Sequence, residues 1–338
     1  MNSITLALTA GDYNGIGPEI IIKSFADTET APSTRGNFVI FGSEEIFHRT
    51  FDQFVPTLQS RYQAGYTFVL ENLYSGTASL PLQKSDFSPG TSSQKSGHAA
   101  RRFLSEAIDC WKRGECGGIV TGPIAKHTFF LPGERFNGQT EWIAHSVGSK
   151  QSLMVMVKDN VRIALVTTHI ALREIPDCLT VDLVSEKGGL LYRSLVQDFD
   201  IEKPRIALCG LNPHCGEEGR FGDEEQTILE PALDTLQKTG GEWIGPLPAD
   251  TLFEKRLIPE FDAVLALYHD QGLIPFKMYC GFTGVNFTAG LPLVRTSPDH
   301  GVALNIAGKG QADPRGFKEA ITLAARVASR RAGRTGSD

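Results

Sequence analysis

Short apolar runs alternate along this chain with longer stretches in which apolar positions recur at helical spacing, almost from end to end. Residues 4–9, 38–41, 118–121, 153–157, 162–167, 205–209 and 263–267 read as strands. Residues 18–25, 95–113, 181–197, 224–238 and 316–330 read as helices. Strands alternating with helices predict α/β layers around a largely parallel sheet. Pro18 follows Gly15-Ile-Gly17 and suits the first turn of a helix. Lys158-Asp-Asn160 joins two strand runs as a β-hairpin, which adds an antiparallel pair and makes the sheet mixed. The tail, residues 331–338, is expected to fray.

The 338 residues suffice for about two domains with an ample core. With 33 basic and 39 acidic residues and no basic stripe, the chain does not read as a nucleic-acid binder. Residues 3–10 lack a charged leader and are too short for a signal peptide, and no run reaches transmembrane length. A cytoplasmic protein without membrane contact is expected. The six cysteines, at 110, 116, 178, 209, 215 and 280, form no C-x-x-C pair. They read as small buried apolar side chains in a reducing compartment.

The candidate chemistry lies where strands end. His169, His214 and His269 each follow an apolar run, and the carboxyl ends of strands are where open α/β sheets bind ligands. Each alone can be a polar residue at a strand–loop junction. Together, three imidazoles suit a divalent ion with open positions. Around them stand glycine-rich stretches. Gly11-Asp-Tyr-Asn-Gly-Ile-Gly-Pro-Glu19 reads as a tight turn feeding a helix, and no G-x-G-x-x-G dinucleotide fingerprint follows any strand. Glycines surround His214, and Asp223-Glu-Glu225 reads as acidic residues capping a helix. Asp250 suits a helix N-cap or the orienting of a metal-bound histidine, and Asp270 invites the same two readings. Lys277, Asn286 and Arg295 recur every nine positions, from one strand end to the next. They suit surface ion pairs or, near a metal, an anionic ligand such as phosphate or carboxylate.

Gly11–Glu19, Thr121-Gly-Pro-Ile-Ala-Lys126, Thr168-His169, Asn212-Pro-His214, Pro248-Ala-Asp-Thr-Leu-Phe253, Tyr268-His-Asp-Gln-Gly272 and Arg295-Thr-Ser-Pro-Asp-His-Gly301 form an ordered series. The series resembles the motifs of the 4-hydroxythreonine-4-phosphate dehydrogenase family of pyridoxal-phosphate biosynthesis, collinear from about residue 5 to residue 325. The resemblance implies an α/β, two-lobed fold like that of isocitrate and isopropylmalate dehydrogenases, with a mixed sheet and an interlobe cleft. A cofactor-side lobe would comprise residues 1–128 with 295–338, and a metal, substrate and dimerisation lobe residues 129–294.

The resemblance also implies site residues. His169, His214 and His269 would bind one divalent ion (zinc, cobalt, manganese or magnesium) in a homodimer whose active site is shared, with His269 the partner's contribution by position. Thr140, Lys277, Asn286 and Arg295 match substrate-contacting positions; Asp250 and Lys277 are the candidate catalytic groups. Gln139 departs from the pattern: the family usually has histidine there, and an amide cannot become a cation. Tyr13-Asn14 stands where Pro-Ala is common, and Val302 where a small hydroxyl residue is usual. His300, Gly301, Asn305 and Ile306 fall in a stretch similar to the relatives' adenosine-binding loop, which implies NAD, with NADP possible, without a Rossmann fingerprint. The implied reaction is NAD-dependent, metal-dependent oxidation of 4-phosphohydroxy-L-threonine, a small phosphorylated hydroxy amino acid. The 3-keto acid then loses carbon dioxide to give 3-amino-2-oxopropyl phosphate. Open beside it are a sister dehydrogenase acting on phosphorylated threonate or erythronate or a diol carboxylate, a metal-dependent hydrolase, and a non-catalytic binding protein.

Overall fold

β-branched and aromatic side chains are frequent in the apolar runs, and in the computed structural model all seven expected strands form, within two residues of their expected ends. The structure describes residues 4–26, 36–78, 82–134, 136, 138–254 and 258–335. Among these the strands are β1 (Thr5–Thr9), β2 (Asn37–Phe41), β3 (Gly118–Thr121), β4 (Leu153–Lys158), β5 (Val161–Leu165), β6 (Arg205–Cys209), β7 (Glu242–Leu247), β8 (Ala263–Ala266), β9 (Val285–Ala289) and β10 (Val294–Pro298). The chain divides into two units, Met1–Lys150 with Leu291–Asp338, and Gln151–Gly290. Whereas the sequence reading begins its second lobe at 129, the helix Gln139–Ser146 lies in the first unit.

In the first unit β2, β1, β3 and β10 pair in that order, all parallel. The helix Gln94–Lys112 buries Phe103, Leu104, Ala107 and Ile108 against β1 and β3. It starts at a reciprocal cap: Ser93 Oγ accepts from the Ser96 amide at 3.1 Å, and Ser96 Oγ accepts from the Ser93 amide at 2.9 Å. The helix Arg315–Thr335 packs Phe317, Ile321 and Ala324 on β10 and β3. It runs through much of the expected frayed tail, because Arg331 donates to the carbonyls of Leu291 and Pro292 at 3.0 and 3.1 Å. Residues 336–338 lie outside the described residues.

The second unit is the mixed part, in the order β9-β4-β5-β8-β6-β7. β4 is antiparallel to β5, as the hairpin requires, and also to β9; Asp159 makes the hairpin turn with φ of 52°. β5, β8, β6 and β7 are parallel neighbours. Their core gathers Ile163, Leu165, Ala207, Val264, Leu273 and Phe276.

Three strands were not foreseen. β7 carries Gly245 and Pro246, joined by a cis peptide, and reads as a loop. β9 lies in a glycine-flanked stretch, and β10 buries Arg295, Thr296 and Ser297, so neither shows an apolar run. The expected helix 224–238 is broken: a π-helical turn, Glu225–Leu229, precedes the α-helix Glu230–Leu236. Pro231 has no N–H to donate, which loosens the helical register there. All six cysteines are free thiols; Cys110, Cys116 and Cys209 are buried as expected, but Cys178 is exposed and Cys215 and Cys280 are half-buried. Among the described residues no helix is long and apolar enough to cross a membrane.

Candidate active site

The strand order brings the three histidines to neighbouring strand ends, since His169 follows β5, His269 follows β8 and His214 follows β6, and β8 pairs with both others. The His169 and His269 rings stand 5.9 Å apart between centroids. Thr167 ties their strands together, its amide and hydroxyl both donating to the Leu267 carbonyl, at 3.1 and 2.7 Å. Gln271 ties β8 to β6: its Oε1 accepts from the Leu267 amide and its Nε2 donates to the Gly210 carbonyl, each at 2.7 Å. Asp270 Oδ1 lies 2.7 Å from His269 Nδ1, a contact between neighbouring exposed side chains. Tyr268, not Asp270, precedes the helix His269–Cys280.

His214 stands on unusual backbone. Residues 214–219 all have positive φ, including His214 at 52°, Cys215 at 54°, Glu217 at 46° and Glu218 at 60°. Left-handed backbone costs roughly 1–2 kcal/mol for each residue bearing a Cβ, so the turn persists only where its surroundings hold it. Glu225 does the holding. Its side chain is 2 % exposed, and Oε1 accepts from the consecutive amides of Leu211 and Asn212, both at 2.7 Å. Asn212 Nδ2 donates to Glu225 Oε2 at 2.9 Å and to Glu224 Oε2 at 2.6 Å. Glu224 and Glu225 stand at the start of the helix as expected, Glu224 at the N-cap position and Glu225 in the first turn, but neither makes a side-chain capping bond; their carboxylates accept from loop donors instead. Gly216 is required here, since a Cβ would meet Glu225 Oε2 at 3.0 Å and the Gly222 carbonyl at 2.6 Å.

Asp250 is not an N-cap either: Pro248 precedes the short helix Ala249–Leu252, and Asp250 Oδ1 accepts from the Thr251 amide at 2.9 Å. Burial first, then Glu225 and Asp250, raise the Cys215 thiol to about 11, and its Sγ donates to the Pro246 carbonyl at 3.4 Å. Lys277 lies on an exposed part of the helix His269–Cys280, and Asn286 lies within β9, so the nine-residue spacing does not link strand ends. Asn286 Oδ1 is buried without a hydrogen-bond partner. Among the described residues, no three His, Cys, Asp or Glu side chains of one chain converge as a ligand set.

A second cluster lies in the first unit, where β10 carries Arg295, 3 % exposed. Its guanidinium donates to Thr121 Oγ1 at 2.9 Å, Gln139 Oε1 at 3.0 Å and Thr140 Oγ1 at 3.3 Å. Burial brings Arg295 down to about 10, with Glu141 acting the other way, so it is a cation at neutral pH. Because the guanidinium can only donate, the Gln139 oxygen must face it. The amide nitrogen then points elsewhere, buried and without a partner. The glutamine thus accepts from Arg295 and keeps an unpaired buried donor.

The stretch 300–312 is held to the glycine-rich turn and the helix Gly17–Ser24. The Ile16 amide donates to the Val302 carbonyl at 3.1 Å, and Lys23 Nζ to the carbonyls of Gly310 and Ala312 at 2.9 Å each. Glu19 accepts from Lys23 at 2.6 Å and from the Ala312 amide at 2.8 Å. The turn reading of residues 11–19 holds, and the same residues support this loop. On it, His300 Nδ1 lies 3.1 Å from the Gly301 carbonyl while Nε2 is buried without a partner; Asn305 is exposed, and the Ile306 amide donates to the Ala303 carbonyl at 3.0 Å. Asn14 holds residues 86–91: Nδ2 donates to the Thr91 carbonyl at 3.0 Å, and Oδ1 accepts from the Ser88 amide at 2.8 Å. Burial, with Asp86 and Asp12 adding, pushes the Tyr13 phenol up to about 12.

Thr121, Thr167, Glu225 and Gln271 were not foreseen as parts of the site. Gln271 sat inside a motif already marked by its histidine, but its role needs the β6–β8 pairing, which spacing does not reveal.

Residues 34–324 match the family model described as pyridoxal phosphate biosynthetic protein PdxA. A 4-hydroxythreonine-4-phosphate dehydrogenase of Bacteroides thetaiotaomicron is 40% identical over 330 residues, covering 96% of this chain and 88% of that one. The crystal structure of a 4-hydroxythreonine-4-phosphate dehydrogenase from Klebsiella pneumoniae superposes with a TM-score of 0.78 at 33% identity, covering 97% of this chain and 98% of that one. A terephthalate 1,2-cis-dihydrodiol dehydrogenase from Burkholderia xenovorans superposes with a TM-score of 0.62 at 28% identity, covering 96% and 98%.

Proposed function

The chain belongs to the PdxA family of pyridoxal phosphate biosynthetic proteins, and on that premise we propose that it oxidises 4-phosphohydroxy-L-threonine with NAD and a divalent metal. It is a dehydrogenase, and a dehydrogenase of this family implies a nicotinamide cofactor and a metal. The observation that carries the site assignment is the meeting of three histidine-bearing strand ends at β5, β8 and β6. The carboxylate beside His269 is the partner that a metal-bound histidine takes. When bound, the metal supplies Lewis-acid polarisation and the nicotinamide accepts a hydride.

The chain's own residues do the rest. Arg295, Thr140 and the free Gln139 amide nitrogen bind and orient an anionic group of the substrate. Lys277 and Asn286 add a cation and an unpaired amide oxygen to the substrate's polar groups, and Asp250 acts beside the His214 loop. The stretch carrying His300, Gly301, Asn305 and Ile306 would hold the adenosine end of NAD. A second copy of the chain completes the ligand set. Next to His269, the helix His269–Cys280 and the turn after it expose Ile274, Met278, Tyr279 and Phe282, an apolar face suited to burial in a dimer.

The product 3-keto acid loses carbon dioxide to give 3-amino-2-oxopropyl phosphate. Similarity to the dihydrodiol dehydrogenase favours one other reading, a diol carboxylate as substrate, since Arg295 suits either anion. NADH formation across 4-phosphohydroxythreonine, phosphorylated threonate and a cyclic diol dicarboxylate decides between them. The proposal expects the first to have the highest kcat/KM by far; a higher value for either of the others would move the assignment to that substrate.

A further inference from the structure

We propose that Glu225 is a positioning residue for His214, setting the affinity of the centre through the backbone rather than by touching a ligand. The proposal rests on the reading of His214 as a metal ligand. The His214 side chain is exposed, so packing does not fix its ring; the backbone must. That backbone leaves β6 at Cys209 and turns left-handed at His214. Between the two, the amides of Leu211 and Asn212 both donate to one oxygen of a buried carboxylate, which fixes the direction in which the chain enters Pro213-His214.

The other oxygen takes the Asn212 side chain, and Gly210, where the loop starts, is held to β8 by Gln271. Glu225 and Gln271 together hold the loop by both its strand and its turn. A carboxylate suits this place better than an amide, because every atom that faces it donates. In Glu225→Gln one oxygen can still face the two backbone amides, but the new NH2 group faces Asn212 Nδ2, donor against donor. Asn212 must turn away and lose its bond to Glu224 as well.

The test uses the full-length protein, stripped of metal, in wild-type, His214→Ala, Glu225→Gln and Asn212→Ala forms. Three quantities are read: amide hydrogen exchange at 211 and 212, the melting midpoint without metal, and the cobalt(II) Kd by competition with a chromophoric chelator. In Glu225→Gln the two amides should exchange at least about tenfold faster, and the cobalt Kd should rise about tenfold, as for other partners that orient metal ligands. The metal-free melting midpoint should stay near that of the wild type. Asn212→Ala, which keeps the buried carboxylate and its backbone bonds, should weaken cobalt severalfold and serves if Glu225→Gln does not fold. His214→Ala should weaken cobalt far more than either. Faster exchange with an unchanged Kd in both loop variants would overturn the positioning role alone. Tight cobalt binding by His214→Ala, or none by the wild type, would overturn the metal reading and the role of Glu225 with it.

Discussion

Gln139 offers a sharp test of how the substrate's anionic group is held. Replacing it by glutamate changes one NH2 group to an oxygen, at a side chain whose other oxygen accepts from Arg295 at 3.0 Å. The Arg295 contact survives, but the buried donor becomes an acceptor carrying negative charge. A hydrogen bond to a charged group contributes about 1.5–3 kcal/mol. Repulsion between two unit charges about 4 Å apart costs roughly 4 kcal/mol at an effective dielectric near 20. The guanidinium keeps the new carboxylate ionised, so protonation does not relieve the repulsion. Partial screening leaves a net loss of about 4 kcal/mol, and kcat/KM for 4-phosphohydroxythreonine should fall on the order of a thousandfold. Gln139→His should behave differently. A neutral imidazole can accept from Arg295 with one nitrogen and donate with the other, and the adjacent guanidinium opposes its protonation. Its KM should stay within about threefold of wild type, and its pH profile should not move between about pH 6 and 8. Steady-state kinetics of both variants, with melting curves to exclude misfolding, are the assay. A Gln139→Glu enzyme with near-normal KM would show that this side chain does not face the anion. A large gain in Gln139→His would point to a different natural substrate.

Mixing His214→Ala with His269→Ala chains should restore part of the activity that each lacks alone, whichever of the two histidines crosses between subunits; no rescue despite proven subunit exchange would place the whole ligand set on one chain. NAD should be preferred over NADP, though modestly: Asn305 offers a ribose hydroxyl a hydrogen bond but presents neither a carboxylate to repel a 2′-phosphate nor a cation to bind one. Comparing kcat/KM for the two cofactors checks this, and a clear NADP preference would contradict it. Arg101 grips Glu134 with two bonds of 2.6 and 2.8 Å and holds its carboxyl down at about 2, from an ordinary 4.5. A depressed carboxylate adds stability that is complete above its unfolded value and fades as pH falls toward the folded one. Glu134→Gln should therefore melt below wild type at pH 7, and the gap should close as pH drops from about 4.5 toward 2. A gap that does not change with pH would mean that the ion pair contributes nothing.

The parts of the fold that announce themselves in sequence are those whose side chains are uniformly apolar. Gly118–Thr121 and Arg205–Cys209 were read to the residue, and the hairpin was marked by Asp159 and Asn160. β10 was missed for the same reason that it matters: it buries Arg295 and two hydroxyl residues, so its pattern is polar. The histidines were legible because each ends an apolar run. What holds them was not, because Thr167 and Gln271 act on backbone atoms of other strands. Their partners follow from the order β5-β8-β6, which crosses the chain order. Asp250 and the acidic pair at 224–225 fit capping rules locally, and the pair does begin a helix, but its carboxylates accept from loop donors rather than from the helix end.

The central claim is that three histidines at neighbouring strand ends form the metal centre of a dehydrogenase. NADH formation from 4-phosphohydroxythreonine, measured in protein stripped by a chelator and again after a divalent ion is restored, tests it most directly. Turnover should be absent in the stripped protein, recover on adding zinc, cobalt, manganese or magnesium, and fail to recover in His169→Ala, His214→Ala or His269→Ala. Full turnover in verified metal-free wild-type protein would contradict it.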